Sequence, residues 1–504
     1  MPIRLSGINS GLDTDAIVKE LVSAYSLKTQ KYEKEQTKIE WKQEAWKSLN
    51  TKIYGLYTNI SNLRLDSAYN LKRTSTSDPT KASVTASSDA VAGTQKLNII
   101  KTAQTSYMTG AYLGEDVKRA TKLKDLGIED GTIIKVKSKD GTEEAIELKA
   151  EMSIAELTKA FTDKGLRANF DENNNRFYIS AKDSGEAGDF EIIADDPKGN
   201  DAIMALGLAI KEDAGEESHK YATKIKGQDA IIKLNNVVYT NTSNTFSING
   251  LSIDAHTETG DGDNNAIIIS TTVDTQGIYD KIKDFLTEYN NVINEMTKLY
   301  NAESAGDYEP LTDEERESMS DEQIEKWEGK IKSALLRRDS SLSSVMNAMV
   351  NSMAQGVEVN GEKLTLSSFG IQTLGFLNAA ENEQYAYHID GDPDDESKSG
   401  KSDKLMKAIQ EDPDKIMGFM KELTSKLYTA IDSKMKSTEL SSAYKVYNDK
   451  ELDSQLDKYK KLIAQWEKKV AEEEDRYYKQ FSNMEVALSK LQNQTNALGG
   501  LLGQ

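Results

Sequence analysis

The chain of 504 residues has no cysteine, three histidines and six prolines, and each scarcity removes a class of chemistry. Without cysteine there are no disulfides, no thiolate nucleophiles and no cysteine-ligated metals. His219, His256 and His388 stand far apart in polar settings, too few and too scattered to supply a histidine-based active site. No stretch reaches the ~20 consecutive apolar residues of a membrane span. The opening MPIRLSGINSGLDTDAIVKE lacks the apolar core of a cleavable signal, so export, if it occurs, is expected without one. A formal net charge of −20 argues against nucleic acid as a partner, because phosphate binding calls for clustered Lys and Arg.

The proline-free stretches 3–78 and 414–504 are where long helices fit, since an interior proline removes a hydrogen bond and clashes with the preceding turn. Leu21, Tyr25, Tyr32, Ile39, Trp46, Leu49, Ile53, Leu56, Ile60 and Leu63 share one alternating four-and-three spacing, interrupted by Lys28, Glu35 and Lys42. Leu452, Leu456, Tyr459, Ile463, Trp466, Val470 and Tyr477 share another, and Met484, Leu488, Leu491 and Leu498 continue it after a slip. A spacing averaging 3.5 residues lines one seam of a helix, and a seam needs a partner. With one at each end, the simplest partner for each is the other. Asp13 or Thr14 is the expected N-cap of the first helix.

Between about 80 and 275 the composition turns to Thr, Ser, Val, Ile, Asn and Gly in short alternating runs. Hairpins are expected around Asp140–Gly141, Asn173–Asn175, Asn235–Asn236 and Asn249–Gly250, because Asn, Asp and Gly tolerate the positive φ of tight primed turns. One helix, SIAELTKAFTDKG, interrupts and ends at Gly165. Helical spacing returns with the unbroken seam Ile278, Ile282, Phe285, Tyr289, Val292, Met296 and Leu299, the first five of which read as structural core. Further helices are expected in EQIEKWEGKIKSALLRR, SSLSSVMNAMVNSM and from Pro413 to Lys436. The fold class expected is α+β multidomain: a terminal antiparallel coiled-coil helical rod or leg with an inserted β-rich head of one or two small domains. The expected boundaries are an N-terminal helical leg over 1–75, a β-rich head over 76–225, a second β-rich segment over 226–275, a helical leg domain over 276–440 and a C-terminal helix over 441–504 that pairs with the first.

Chemistry is hard to find. Asp390, Asp392 and Asp394 open like a calcium loop, but Asp395 stands where glycine is needed and Lys401 where a bidentate acid is needed. Asp261, Asp263 and Asn265 fail in the same way, with Ala266 and Thr272 in those places. Both stretches read as solvated loops, and no metal or other cofactor is expected. No GxGxxG, Walker, GxSxG or HExxH motif occurs, so an enzyme is not expected. Among the N-terminal aromatics, Tyr25, Tyr32 and Trp46 lie on the seam and read first as core of the helical rod, whereas Trp41 lies off it and is the better candidate for contact with a partner.

Taken in order, several segments point to one family. INSGLDTDAIVKELV and SDPTKASVTASSDAVAGTQKLNII closely resemble the N-terminal part of the bacterial flagellar filament-capping proteins, FliD or flagellar hook-associated protein 2. Residues 123–193 resemble the small β repeat shared by flagellins and hook-associated proteins. GQDAIIKLNNVVYTNTSNTFSINGLSIDA, IYDKIKDFLTEYNNVINEM, GKIKSALLRRDSSLSSV and FGIQTLGF resemble the family's C-terminal half. The likeness covers nearly the whole chain in the right order. It implies a homo-oligomeric ring at the distal tip of the flagellum, outside the cell, exported through the flagellar secretion channel without a cleaved signal peptide. The implied partners are further copies of itself, flagellin, the hook-associated junction protein and an export chaperone at the C-terminal helix, with neither nucleic acid nor membrane. The ring would help flagellin fold and insert, and would prevent its loss. Leu21, Tyr25, Ile39, Trp41, Trp46, Leu491 and Leu498 would contact flagellin or adjoining cap subunits, and Ile278, Ile282, Phe285, Tyr289 and Val292 would be leg core. Two readings compete: a flagellin-like or other hook-associated subunit, which polymerises without limit, and a tip adhesin for host mucin or glycans, which needs no closed oligomer.

Overall fold

A computed structural model of the protein describes residues 10–211 and 219–502. It divides into two compact units, one of residues up to Tyr69 together with Thr275 onward, the other Asn70–Asp274. The first unit opens on α1 (Thr14–Leu63), 50 residues without proline or an internal break. Asp13 is its N-cap, its carboxylate accepting from the Ala16 amide at 3.0 Å. Ile8 and Asn9 of the opening motif lie outside the described residues.

The unit Asn70–Asp274 runs β1 (Lys72–Thr76), β2 (Ala82–Ala86), β3 (Gly93–Lys101), β4 (Thr105–Thr109), β5 (Thr132–Ser138), β6 (Glu143–Leu148), α2 (Ile154–Asp163), β7 (Leu166–Asp171), β8 (Arg176–Ser184), β9 (Phe190–Ile193) and α3 (Pro197–Ala205). It continues through β10 (Thr223–Ile225), β11 (Ala230–Leu234), β12 (Val237–Asn241), β13 (Thr245–Ile248), β14 (Leu251–Ala255) and β15 (Ile267–Val273). Two cores form. One lies between the five-stranded sheet β1-β15-β3-β11-β12 and the three-stranded sheet β13-β14-β2, and is filled by Leu97, Ile99, Ile232, Phe246, Ile253 and Ile269 among others. The other packs β10-β4-β8-β7 and β6-β5-β9 with α2 and α3, around Leu123, Phe161, Phe170, Phe177 and Phe190. The second core is built from chain inserted between β3 and β11. Strands on either side of the boundary expected at 225/226 therefore share one sheet, with β3 paired to both β11 and β15.

Each expected hairpin pairs strands, β5 with β6, β7 with β8, β11 with β12 and β13 with β14. Asn235 and Asn236 have φ of 49° and 68°, and Asn249 and Gly250 have 49° and 76°, the positive pair that a type I′ turn requires. At Gly250 an added Cβ would lie 2.6 Å from the Ala90 amide nitrogen. Gly250→Ala is expected to cost about 1–3 kcal/mol from the left-handed backbone and that clash together, read as a lower urea midpoint. In α2, Ser153 and Glu156 form a reciprocal capping box, and Gly165 at φ 84° closes the helix.

Back in the first unit come α4 (Thr275–Asn301), α5 (Asp313–Glu317), α6 (Asp321–Ala334), α7 (Ser340–Ala354), the hairpin β16 (Val357–Val359) and β17 (Glu362–Leu364), the pair β18 (Ile371–Thr373) and β19 (Tyr387–Ile389), α8 (Lys404–Glu411), α9 (Pro413–Met435) and α10 (Asp449–Leu502). The core of this unit gathers one face from each of several helices. It contains Ile53, Leu56 and Ile60 of α1, Leu342, Val345 and Met349 of α7, and Phe419, Leu423, Leu427 and Ile431 of α9. Ile278, Ile282, Phe285, Tyr289 and Val292 of α4 are all buried. The fully buried Thr424 hydroxyl donates to the Met420 carbonyl at 2.8 Å and has the Leu63 carbonyl at 3.1 Å, which docks the end of α1 on α9.

One expectation is overturned. The stretch with Asp390, Asp392 and Asp394 is not a solvated loop, since Asp390 and Asp392 are buried. Lys283 of α4 holds Asp392 at 2.7 Å and Asp394 at 2.6 Å, so an ammonium group sits among the carboxylates where a loop of this pattern would hold an ion. Asp390 meets Lys398 at 3.4 Å and Lys401 at 3.2 Å, and His388 Nδ1 lies 2.6 Å from Asp395. Asp261, Asp263 and Asn265 are exposed, with Lys233 on Asp261 at 2.8 Å.

Candidate assembly surface on the terminal helices

The two terminal helices pair with each other within the chain. Tyr32 faces Tyr459 and Tyr25 faces Trp466, ring centroids 6.3 Å apart in both cases. Further along, the Tyr478 hydroxyl donates to Asp15 at 2.9 Å, and the Ser10 amide donates to Glu485 at 3.3 Å. Numbers rise on one helix as they fall on the other, so the pair is antiparallel. Lys28 and Lys469 place ammonium groups 4.5 and 4.1 Å from the Trp466 ring centre, where cation–π attraction and their methylene stems shield the indole.

Cover along this pair is graded. From Trp46 to Leu63, α1 is locked into the helical core: Trp46 is 1% exposed and stacks on Tyr447 at 5.0 Å with a 6° interplanar angle. Asn50 donates to the Tyr444 carbonyl at 3.1 Å and accepts from the Val446 amide at 3.0 Å, fastening the chain that leads into α10. In the N-terminal part of α1 only Thr14, Val18, Val22 and Thr29 are buried. On α10 no apolar side chain beyond Leu452 is buried among the described residues. Glu33, with Glu467 of α10 and Asp313 of α5 nearby, has its carboxyl pushed above the ordinary glutamate value, by partial burial first and then by those two negative charges.

The seven residues expected to touch partners therefore fall into three groups. Leu21, Leu491 and Leu498 are exposed, at 42%, 58% and 59%. Tyr25 and Ile39 are half-buried, and Tyr25 lies against Trp466 of α10. Trp41 is half-buried with Lys332 of α6 over its ring at 4.5 Å, and Trp46 is core of its own chain with no face free for a partner. Leu21 is exposed because the seam in the first half of α1 runs through Val18, Val22, Tyr25, Thr29 and Tyr32. That register continues through Gln36, Ile39, Gln43 and Trp46 with no charged residue, whereas the one expected was interrupted by Lys28, Glu35 and Lys42. The uncharged register was the signal that could have found Val18 and Val22. Leu27 and Val486 add to the exposed apolar set on this pair, and Leu12 just before α1 is exposed as well.

Comparison with known proteins fits this arrangement. Residues 10–106 match the family model described as the flagellar hook-associated protein 2 N-terminus. Residues 227–493 match the model described as the flagellar hook-associated protein 2 C-terminus, which is more than half of the chain. The chain belongs to the flagellar hook-associated protein 2 family. Flagellar hook-associated protein 2 of Halalkalibacterium halodurans is 26% identical, with 98% of each chain covered. That of Escherichia coli K12 is 24% identical over 98% of this chain and 96% of its own. Among solved structures, the D1-D2-D3 domains of the flagellar cap protein FliD from Escherichia coli superpose with a TM-score of 0.50 at 18% identity, covering 76% of this chain and 95% of that one, which shows the shared fold. As a member of this family, the chain is a structural cap of the flagellar filament. No helix among the described residues is long and apolar enough to cross a membrane.

Proposed function

We propose that this cap works as a closed homo-oligomeric ring at the distal tip of the flagellum. There it promotes folding and insertion of exported flagellin and prevents its loss. The observation that carries the reading is the unfinished burial of the terminal pair, whose helices cover each other on one side and leave Leu21, Leu27, Leu491 and Leu498 exposed. Covering such side chains with a neighbouring cap subunit or with flagellin is worth roughly 25 cal/mol per Å², enough to drive association without a nucleotide or cofactor. A partly covered helix pair is also marginal alone, which suits a contact that must release and rebind as each flagellin arrives. The same C-terminal helix is the place for an export chaperone before assembly, when the chain passes unfolded through the secretion channel. The hook-associated junction protein is the partner when the cap is first laid down.

The test is light scattering on full-length protein and on the triple variant Leu21→Ser, Leu491→Ser, Leu498→Ser. Because those side chains are exposed, the variant is expected to keep its helical signal. The wild type should form one discrete oligomer that the variant weakens at least tenfold. Open-ended polymers would favour a flagellin-like subunit, and a discrete oligomer identical in both proteins would remove the terminal pair from the interface.

A further inference from the structure

The segment between α4 and α7 forms a small module with its own internal fastenings. The Tyr308 and Trp327 rings meet edge-on at 4.7 Å, and the Trp327 indole N–H donates to the Glu309 carbonyl at 2.8 Å. Lys330 donates to the Tyr308 hydroxyl at 3.0 Å. The buried Glu328 carboxylate is held by Arg316 and by Lys332 at 3.3 Å.

This module touches α1 at Lys34 and, about two turns on, at Trp41 and Lys42, mostly through charge. Lys34 reaches Glu315 at 3.2 Å and Glu309 at 3.7 Å. Lys332 covers the Trp41 ring. Lys42 pairs at 2.9 Å with Asp339, whose carboxylate also caps α7 by accepting from the Ser341 and Leu342 amides at 2.9 and 3.2 Å. Asp339 thus ties α1 to the start of a core helix. C-terminal to these contacts α1 is buried in the helical core. N-terminal to them, the partners of Tyr25, Asp15 and Ser10 all belong to α10.

We infer that residues 302–339 act as a salt-sensitive clasp that sets where the terminal helix pair stops being rigidly held, at about Lys34 of α1. Closed, the clasp extends the rigid part of α1 about three turns beyond the apolar core and half-covers Trp41. Open, it frees that stretch, moves the flexing point back to Trp46 and exposes the indole. The contacts are ion pairs on partly exposed side chains, so mobile ions loosen them while leaving the apolar core alone, the screening length shrinking from ~10 Å at 0.1 M salt to ~3 Å at 1 M.

Hydrogen exchange of the full chain, resolved by mass spectrometry, reads the clasp directly. In the Lys34→Ala, Lys42→Ala variant, amides of residues 30–44 should exchange about tenfold faster, with residues 49–63 unchanged. Raising NaCl to ~1 M should move the wild type the same way and the variant little further. The salt series alone tests the idea if the variant folds poorly. Unchanged protection of 30–44 in both experiments overturns the proposal, and so does equal acceleration of 30–44 and 49–63, which would mean loosening of the whole unit.

Discussion

Replacing Trp46 by alanine is expected to destabilise the helical unit by about 3–5 kcal/mol, the range for removing a large aromatic from a close-packed core. The indole is almost wholly buried and stacked on Tyr447, so the lost contacts include the burial, the ring stacking and the volume that cannot collapse. The damage also spreads. Asn50, one turn on, holds the backbone of Tyr444 and Val446 on the same connection to α10, so loosening Tyr447 weakens the anchor of the second terminal helix. Urea unfolding followed by far-ultraviolet circular dichroism should show an earlier helical transition, with the unit Asn70–Asp274 retaining its own cores. Trp41→Ala, at a half-buried ring under one lysine, should cost about 1 kcal/mol. If the two variants behaved alike, Trp46 would not be core, and its assignment to partner contact would regain force.

Those two tryptophans show what a sequence reading can and cannot separate. Both sit on a long proline-free helix, and spacing alone correctly put Trp46 on a seam. Whether a seam residue faces its own chain or a neighbour is decided by other segments, here Tyr447, four hundred residues away. Trp41 lies off the seam, which makes it the better candidate for a partner contact, and spacing gives no sign of the α6 lysine that sits over its ring. The β hairpins were legible because their signal is local: Asn235–Asn236 and Asn249–Gly250 carry the positive φ in the turn itself. The pairing of β3 with β11 is not local, and nothing in either strand announces that more than a hundred intervening residues form a second core.

The same lesson explains the acidic loop and leads to the second large expectation. Asp390, Asp392 and Asp394 look in sequence like a failed metal loop left to solvent, because the cation that neutralises two of them is a side chain 109 positions before Asp392. Lys283→Met is expected to cost about 3 kcal/mol, since it keeps the methylene stem and leaves the buried Asp392 carboxylate without its countercharge. The methionine chain remains as filler, so the loss reports the charge and not the volume. Acid should act on the same network. Asp395 is raised by partial burial but pulled below the ordinary aspartate value on balance by hydrogen bonds from Ser397 and His388. A carboxyl with a depressed folded-state pKa contributes stability that is present above its unfolded value of ~3.9 and is lost as pH falls through the folded value. Urea midpoints should therefore be steady from neutral pH down to about pH 5 and then fall, and Asp395→Asn should flatten part of that fall. If Lys283→Met instead matched the wild type, water would be reaching Asp392, and the loop would be the solvated segment that its composition suggests.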